Sequence, residues 1–148
     1  MKKISCFLAF IVVACVMAPS VQAASDVYHT TETIYTEFGE FEIETTTIIH
    51  DSMARSSSKS ASKVQSVKQG GKEVAEITLF ATFGYDGTTA WVVSANGSHT
   101  TYDGWSYSNE KITTSGGTAT LTATVSKLTG GRVPISISIT CSPTGAIT

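Results

Sequence analysis

Two stretches near the C-terminus alternate apolar and polar residues almost without fault. Thr118–Val125 sets Ala119, Leu121, Ala123 and Val125 against four threonines. Val133–Cys141 sets Val133, Ile135, Ile137, Ile139 and Cys141 against Pro134, Ser136, Ser138 and Thr140. Period-two alternation is the mark of a strand with one face in a core and one in water. A longer strand spans Lys72–Tyr85, with Ala75, Ile77, Leu79, Ala81, Phe83 and Tyr85 on one face. Gln69-Gly70-Gly71 turns into it from a strand over Lys63–Lys68, the two glycines supplying the positive φ angles of a tight hairpin. Thr89–Ala95 places Trp91, Val93 and Ala95 in phase, which predicts Trp91 as a plug of the core. Asn96-Gly97 predicts a hairpin turn, with Ser98–Tyr102 as the return strand. Pro134 cannot donate to a ladder and belongs at a sheet edge or strand start.

Earlier in the chain the pattern is weaker. Residues 24–51 hold Asp26, Glu32, Glu37, Glu40, Glu42, Glu44 and Asp51 and no lysine or arginine. Within them Phe41–Thr45 alternates, and Gly39 predicts a hairpin between Thr33–Glu37 and Glu40–Ile49. Residues 52–62 are rich in serine and basic, with little apolar surface to bury, and read as a linker or an exposed edge. The domain organisation expected is thus an acidic segment at 24–51 with a possible strand pair, a linker at 52–62 and a sandwich domain at 63–148. Seven or so short strands separated by turns predict an all-β fold, a single antiparallel β-sandwich of immunoglobulin-like type, with a small β-barrel as the alternative.

The first 23 residues stand apart. Lys2 and Lys3, an apolar run from Ile4 to Met17, then Pro19 and Val21-Gln22-Ala23 have the form of a secretory signal peptide. The run of 14 residues falls short of the about 20 needed for a membrane span. The expectation is therefore a secreted, extracellular protein starting at Ala24 with no membrane span after signal removal. A lipid anchor on Cys15, in Val12-Val13-Ala14-Cys15, is the lesser alternative. Removing residues 1–23 takes away two lysines and no acid, so ten basic residues become eight against twelve acidic ones and the net charge moves from −2 to −4. An acidic chain of this kind argues against nucleic acid as a partner. Cys6 and Cys15 leave with the leader, and Cys141 then has no partner for an internal disulfide. Its phase in the last strand makes it a buried small hydrophobe.

Chemistry-bearing constellations are sparse. His29, His50 and His99 have no metal-ligand spacing, and no metal or cofactor is implied. No nucleophile, base and orienting group fall together, so no catalytic residue is assigned and the chain is read as non-enzymatic. Tyr85-Asp86-Gly87 and Tyr102-Asp103-Gly104 each sit at a strand end and read as turns rather than as a calcium site. The aromatics are the functional lead. Trp105, Tyr107 and Tyr102 are the candidate binding residues, because flat aromatic faces stack on sugars and anchor protein interfaces. The function expected is that of an extracellular or cell-surface interaction or structural module. A carbohydrate-binding module using exposed aromatics is one alternative and a secreted antagonistic peptide another, with a glycan or a surface protein as the partners in view.

Several segments resemble a group of small secreted proteins of unassigned function from Gram-positive bacteria. They are Arg55-Ser56-Ser57-Ser58-Lys59-Ser60-Ala61-Ser62-Lys63, Ala81-Thr82-Phe83-Gly84-Tyr85-Asp86-Gly87, Trp105, Gly117-Thr118-Ala119-Thr120, Ile139-Thr140-Cys141-Ser142 and Gly145. The resemblance covers about residues 55–148. It implies a bacterial cell-envelope or extracellular setting and carries no catalytic or binding residue. It also implies a second cysteine after the Tyr-x-Gly turn, where this chain reads Ala90-Trp91-Val92-Val93.

Overall fold

The computed structural model describes residues 25–50, 57–129 and 131–148. The proposed leader, its cleavage site and Cys15 lie outside the described residues, as do Asp51–Ser56 at the head of the serine-rich stretch. Among the described residues the chain forms eight strands and no helix: β1 (Ser25–Thr36), β2 (Gly39–His50), β3 (Ser58–Gln69), β4 (Lys72–Tyr85), β5 (Ala90–Thr101), β6 (Ser106–Ser115), β7 (Thr118–Lys127) and β8 (Gly131–Thr140). They make two antiparallel sheets, β1-β2-β3-β4-β5 and β6-β7-β8. The all-β sandwich expected from the alternation is what the chain forms. Its connections are simpler than the immunoglobulin-like expectation. Each strand pairs with its neighbour in sequence, with one step between sheets after β5, whereas the immunoglobulin pattern needs Greek-key crossings.

The core lies between the smaller sheet and the inner face of the larger one. Ala75, Ile77, Leu79, Ala81 and Phe83 of β4 meet Ala119, Leu121, Ala123 and Val125 of β7 and Val133, Ile135, Ile137 and Ile139 of β8. These are the apolar phases visible in the sequence, and each fully buried aliphatic or aromatic side chain contributes about 1.5–3 kcal/mol by leaving water. Gly70 and Gly71, at φ 59° and 77°, make the β3–β4 turn as expected. Both glycines carry φ > 0, which a two-residue turn matched to the strand twist requires.

Two elements differ from expectation. The serine run is strand from Ser58 onward, and its pairing with both β2 and β4 satisfies a backbone that few apolar side chains support. The acidic segment does form the strand pair expected of it, and β1 and β2 extend the larger sheet. Asn96-Gly97 is not a turn: β5 runs unbroken through it, with Leu79 opposite Gly97 and Phe80 opposite Asn96. Gly97 is there for clearance. A Cβ at this position would sit 2.6 Å from Leu121 Cδ1 of the facing sheet.

The edge at β8 is guarded. Thr140 exchanges both backbone hydrogen bonds with Thr148, at 2.8 and 2.9 Å. Alternate residues of a strand aim their backbone groups the same way, so Ser138, Ser136 and Pro134 face this edge too. Lys63 Nζ donates to the Ser138 carbonyl at 2.7 Å, and Gln65 Nε2 reaches the Ser136 carbonyl at 3.4 Å. Pro134 has no N–H to offer. Burial holds the Lys63 ammonium below its ordinary pKa.

Candidate functional site

The three aromatics singled out from sequence do not share a surface. Trp105 is core, with only 6% of its surface exposed. Its ring meets Phe41 edge to face, with centroids 5.8 Å apart. It also closes so tightly on Gly131 that a Cβ there would lie 2.7 Å from Cη2. The Tyr102-Asp103-Gly104 turn causes this: Trp105 N–H donates to the Tyr102 carbonyl at 2.9 Å, and the reversal swings the indole under the end of the sandwich. The proposed Trp105 surface is thereby removed. Tyr107 is half-buried and stacked on His99, centroids 3.8 Å apart and planes 17° apart. Its hydroxyl donates to Glu110 Oε2 at 2.7 Å. Burial first, then the Glu110 carboxylate, push this phenol well above its ordinary pKa. With one face covered by His99 and the hydroxyl engaged, Tyr107 ties β5 to β6 rather than offering a free ring. Tyr102 is partly exposed beside its turn.

A different aromatic pair occupies the outer face of the larger sheet. In β5 the register slips between the pairs Thr82–Ser94 and Phe83–Val92, leaving Val93 as a bulge. The extra residue inverts the alternation on one side of it. Ala90, Val92 and Ala95 therefore face the core, while Trp91 points outward and is 45% exposed. This overturns the reading of Trp91 as the core plug. Trp91 sits opposite Gly84, and a Cβ there would fall 2.4, 2.5 and 2.6 Å from indole atoms Cε2, Cζ2 and Nε1. The indole thus lies on bare backbone with its remaining surface turned to solvent.

Phe80 shares this face. It stands out of phase with the buried residues of β4, opposite Ser62 and Asn96, and is 43% exposed. Four strand positions separate Gly84 from Phe80, so the two rings are spaced by about 13 Å along the sheet. Between and beside them lie Thr82, Ser60, Ser94 and Asn96, with Ser60 and Thr82 hydrogen-bonded at 3.0 Å. None of these side chains is charged. The surface is a flat strip of two aromatic rings framed by hydroxyl and amide groups. The phase of Phe80 was the available sequence signal for it; the bulge that exposes Trp91 left none.

Elsewhere polar groups serve the fold. Asp86 Oδ1 accepts from the backbone of Thr88 and Thr89 at 2.9 and 2.7 Å, and Oδ2 accepts from Thr89 Oγ1 at 3.1 Å. These amides hold its carboxyl below the usual aspartate range. The turn fixes the entry to β5 just before Trp91. Lys68 of β3 pairs with Glu44 of β2 at 2.6 Å. Cys141 is a buried free thiol, raised in pKa by that burial. His29 Nδ1 is hydrogen-bonded to Thr46 Oγ1 at 2.9 Å. Among the described residues no group of three or more His, Cys, Asp or Glu side chains converges, and no helix is long and apolar enough to cross a membrane. No family model, curated protein or solved structure matches the chain, so the outer strip is read from its geometry alone.

Proposed function

We propose that this chain is a secreted, non-catalytic binding module that holds a neutral polysaccharide on the outer face of its five-stranded sheet. The observation that carries the reading is Trp91, laid flat on Gly84 with its solvent side open. A flat indole presents a large apolar surface at little conformational cost, and the C–H faces of sugar rings match it. Phe80 supplies a second contact further along the strip. The hydroxyl and amide groups of Ser94, Asn96 and Thr82 suit the hydroxyl rim of a sugar. The absence of charge among these neighbours favours a neutral polymer over an acidic one. Leader-like residues 1–23 support a place outside the cytoplasm, where such polymers occur. The resemblance to small secreted bacterial proteins is in keeping with this setting.

The test is co-sedimentation of the purified protein with insoluble cellulose, chitin and xylan. The protein is expected to pellet with at least one of them, and Trp91→Ala to lower the affinity by about tenfold or more. Near-ultraviolet circular dichroism must show that the variant keeps its core. Retention of Trp91→Ala equal to that of the parent, or no retention of the parent on any polymer, would refute the reading.

A further inference from the structure

The sheet edge at β1 is built in the opposite manner from the guarded edge at β8. Its twelve residues pair with β2 in continuous register from Ser25–His50 to Thr36–Gly39, with no bulge. They include no proline and no lysine. Among the described residues no strand lies on the far side of β1. Long, regular edge strands are templates for pairing with another chain, and proteins commonly blunt them with proline, lysine or a bulge. This chain covers or disarms β8, and at β1 it leaves only the carboxylates of Asp26 and Glu32 against pairing. The strand also carries exposed apolar side chains: Val27, Tyr28 and Tyr35, the last at 77%.

We propose that β1 is a homotypic docking edge, pairing antiparallel with β1 of a second copy about a two-fold axis at Thr31. The choice of a second copy rests on self-complementarity. In a two-fold antiparallel pair that continues the sheet, opposite residues share a face, so only registers shifted by two residues compete. The register centred on Thr31 sets Val27 opposite Tyr35 of the second copy and Tyr28 opposite Ile34. It sets Asp26 opposite Thr36 and Glu32 opposite Thr30. Aromatic and branched side chains thus face each other, and each carboxylate faces a hydroxyl, both favourable cross-strand pairings. Shifting the axis to residue 32 puts Glu32 against Glu32. Shifting it to residue 29 puts Asp26 against Glu32. Centring on Thr30 puts Asp26 against Ile34 and Glu32 against Tyr28. Among the four registers centred on residues 29 to 32, which keep the most of β1 paired, only the one at Thr31 avoids every mismatch. The edge is separate from the strip at Trp91, so this association stands or falls independently of polysaccharide binding.

Sedimentation velocity from about 1 to about 100 µM tests the association. The expected result is a concentration-dependent shift to twice the monomer mass. Thr31→Lys places two lysines against each other on the axis, while within one copy it sits opposite Glu44, so the monomer keeps its fold. It should weaken dimerisation about tenfold or more. Oxidation of cysteine variants tests the register. Thr31→Cys brings two thiols directly opposite, within disulfide reach, and should give a covalent dimer. Thr33→Cys leaves its two thiols about 13 Å apart and should not. The buried Cys141 does not compete. A monomer at every concentration, a Thr31→Lys variant that dimerises like the parent, or a dimer in which Thr33→Cys cross-links and Thr31→Cys does not would each overturn the proposal.

Discussion

Trp91 and Trp105 stand fourteen positions apart and do opposite things. Trp105 fills the end of the core between Phe41 and Gly131; Trp91 covers one glycine on the outside of the sheet. Sequence pattern places Trp91 in the core, alternating with Val93 and Ala95, and offers Trp105, just after Gly104 and alternating with Tyr107, for either face. One bulge turns Trp91 outward, and one turn seats Trp105 in the core. A bulge inserts a residue and flips every side chain on one side of it, so a single irregular position outweighs several regular ones. The difference teaches that tryptophan burial in a sandwich is decided by backbone register and by what the opposite strand leaves open.

The contrast predicts a wide gap in stability. Trp105→Ala should cost about 3–5 kcal/mol, the range for emptying a buried large aromatic site, and should abolish the near-ultraviolet signature of the core. Urea unfolding checks this, and a loss below about 1 kcal/mol would place Trp105 outside the core. Trp91→Ala removes only the aromatic cover over Gly84 and should cost about 0.2–1 kcal/mol, the size of a cross-strand pair. The same unfolding curves measure it, and a loss comparable to that of Trp105→Ala would erase the contrast.

The smallest effect belongs to the turn that leads into Trp91. Asp86 has its carboxyl pKa lowered from the ordinary 3.8, chiefly by hydrogen bonds from the Thr89 and Thr88 amides. A carboxyl bound more tightly as the anion stabilises the fold above its unfolded pKa, and that contribution fades as pH falls through the lower folded value. Asp86→Ala should therefore melt slightly below the parent at about pH 7, and the two should converge at about pH 2. A gap that persists unchanged in acid would mean that the carboxylate charge contributes nothing to the turn.

Much of the fold was legible where both the face and the turn were unambiguous. β7, β8 and the inner face of β4 followed from alternation, and the β3–β4 turn from its glycine pair. The start of β3 was hidden because serine reports neither a face nor a core, and the pairing that makes it strand comes from β2 and β4 on either side. The path of β5 through Asn96-Gly97 was hidden because a glycine needed for clearance looks like a glycine needed for a turn. The close approach of Leu121, from the facing sheet, distinguishes the two. Of the aromatics the sequence put forward, Trp105 and Tyr107 are engaged by Phe41 and His99, and the exposed rings on the outer face of the larger sheet are Trp91 and Phe80.

Trp91 is the proposed platform for sugar, open to solvent, and tryptophan fluorescence tests that role directly. Iodide should quench Trp91 and leave the buried Trp105 untouched. A soluble oligosaccharide of whichever polymer retains the protein should shift the emission in a saturable way and shield it from iodide. Trp91→Phe should lose the quenchable emission and the shift together. Quenching that sugar does not alter, or a saturable shift that survives in Trp91→Phe, would contradict the assignment of Trp91 as the binding surface.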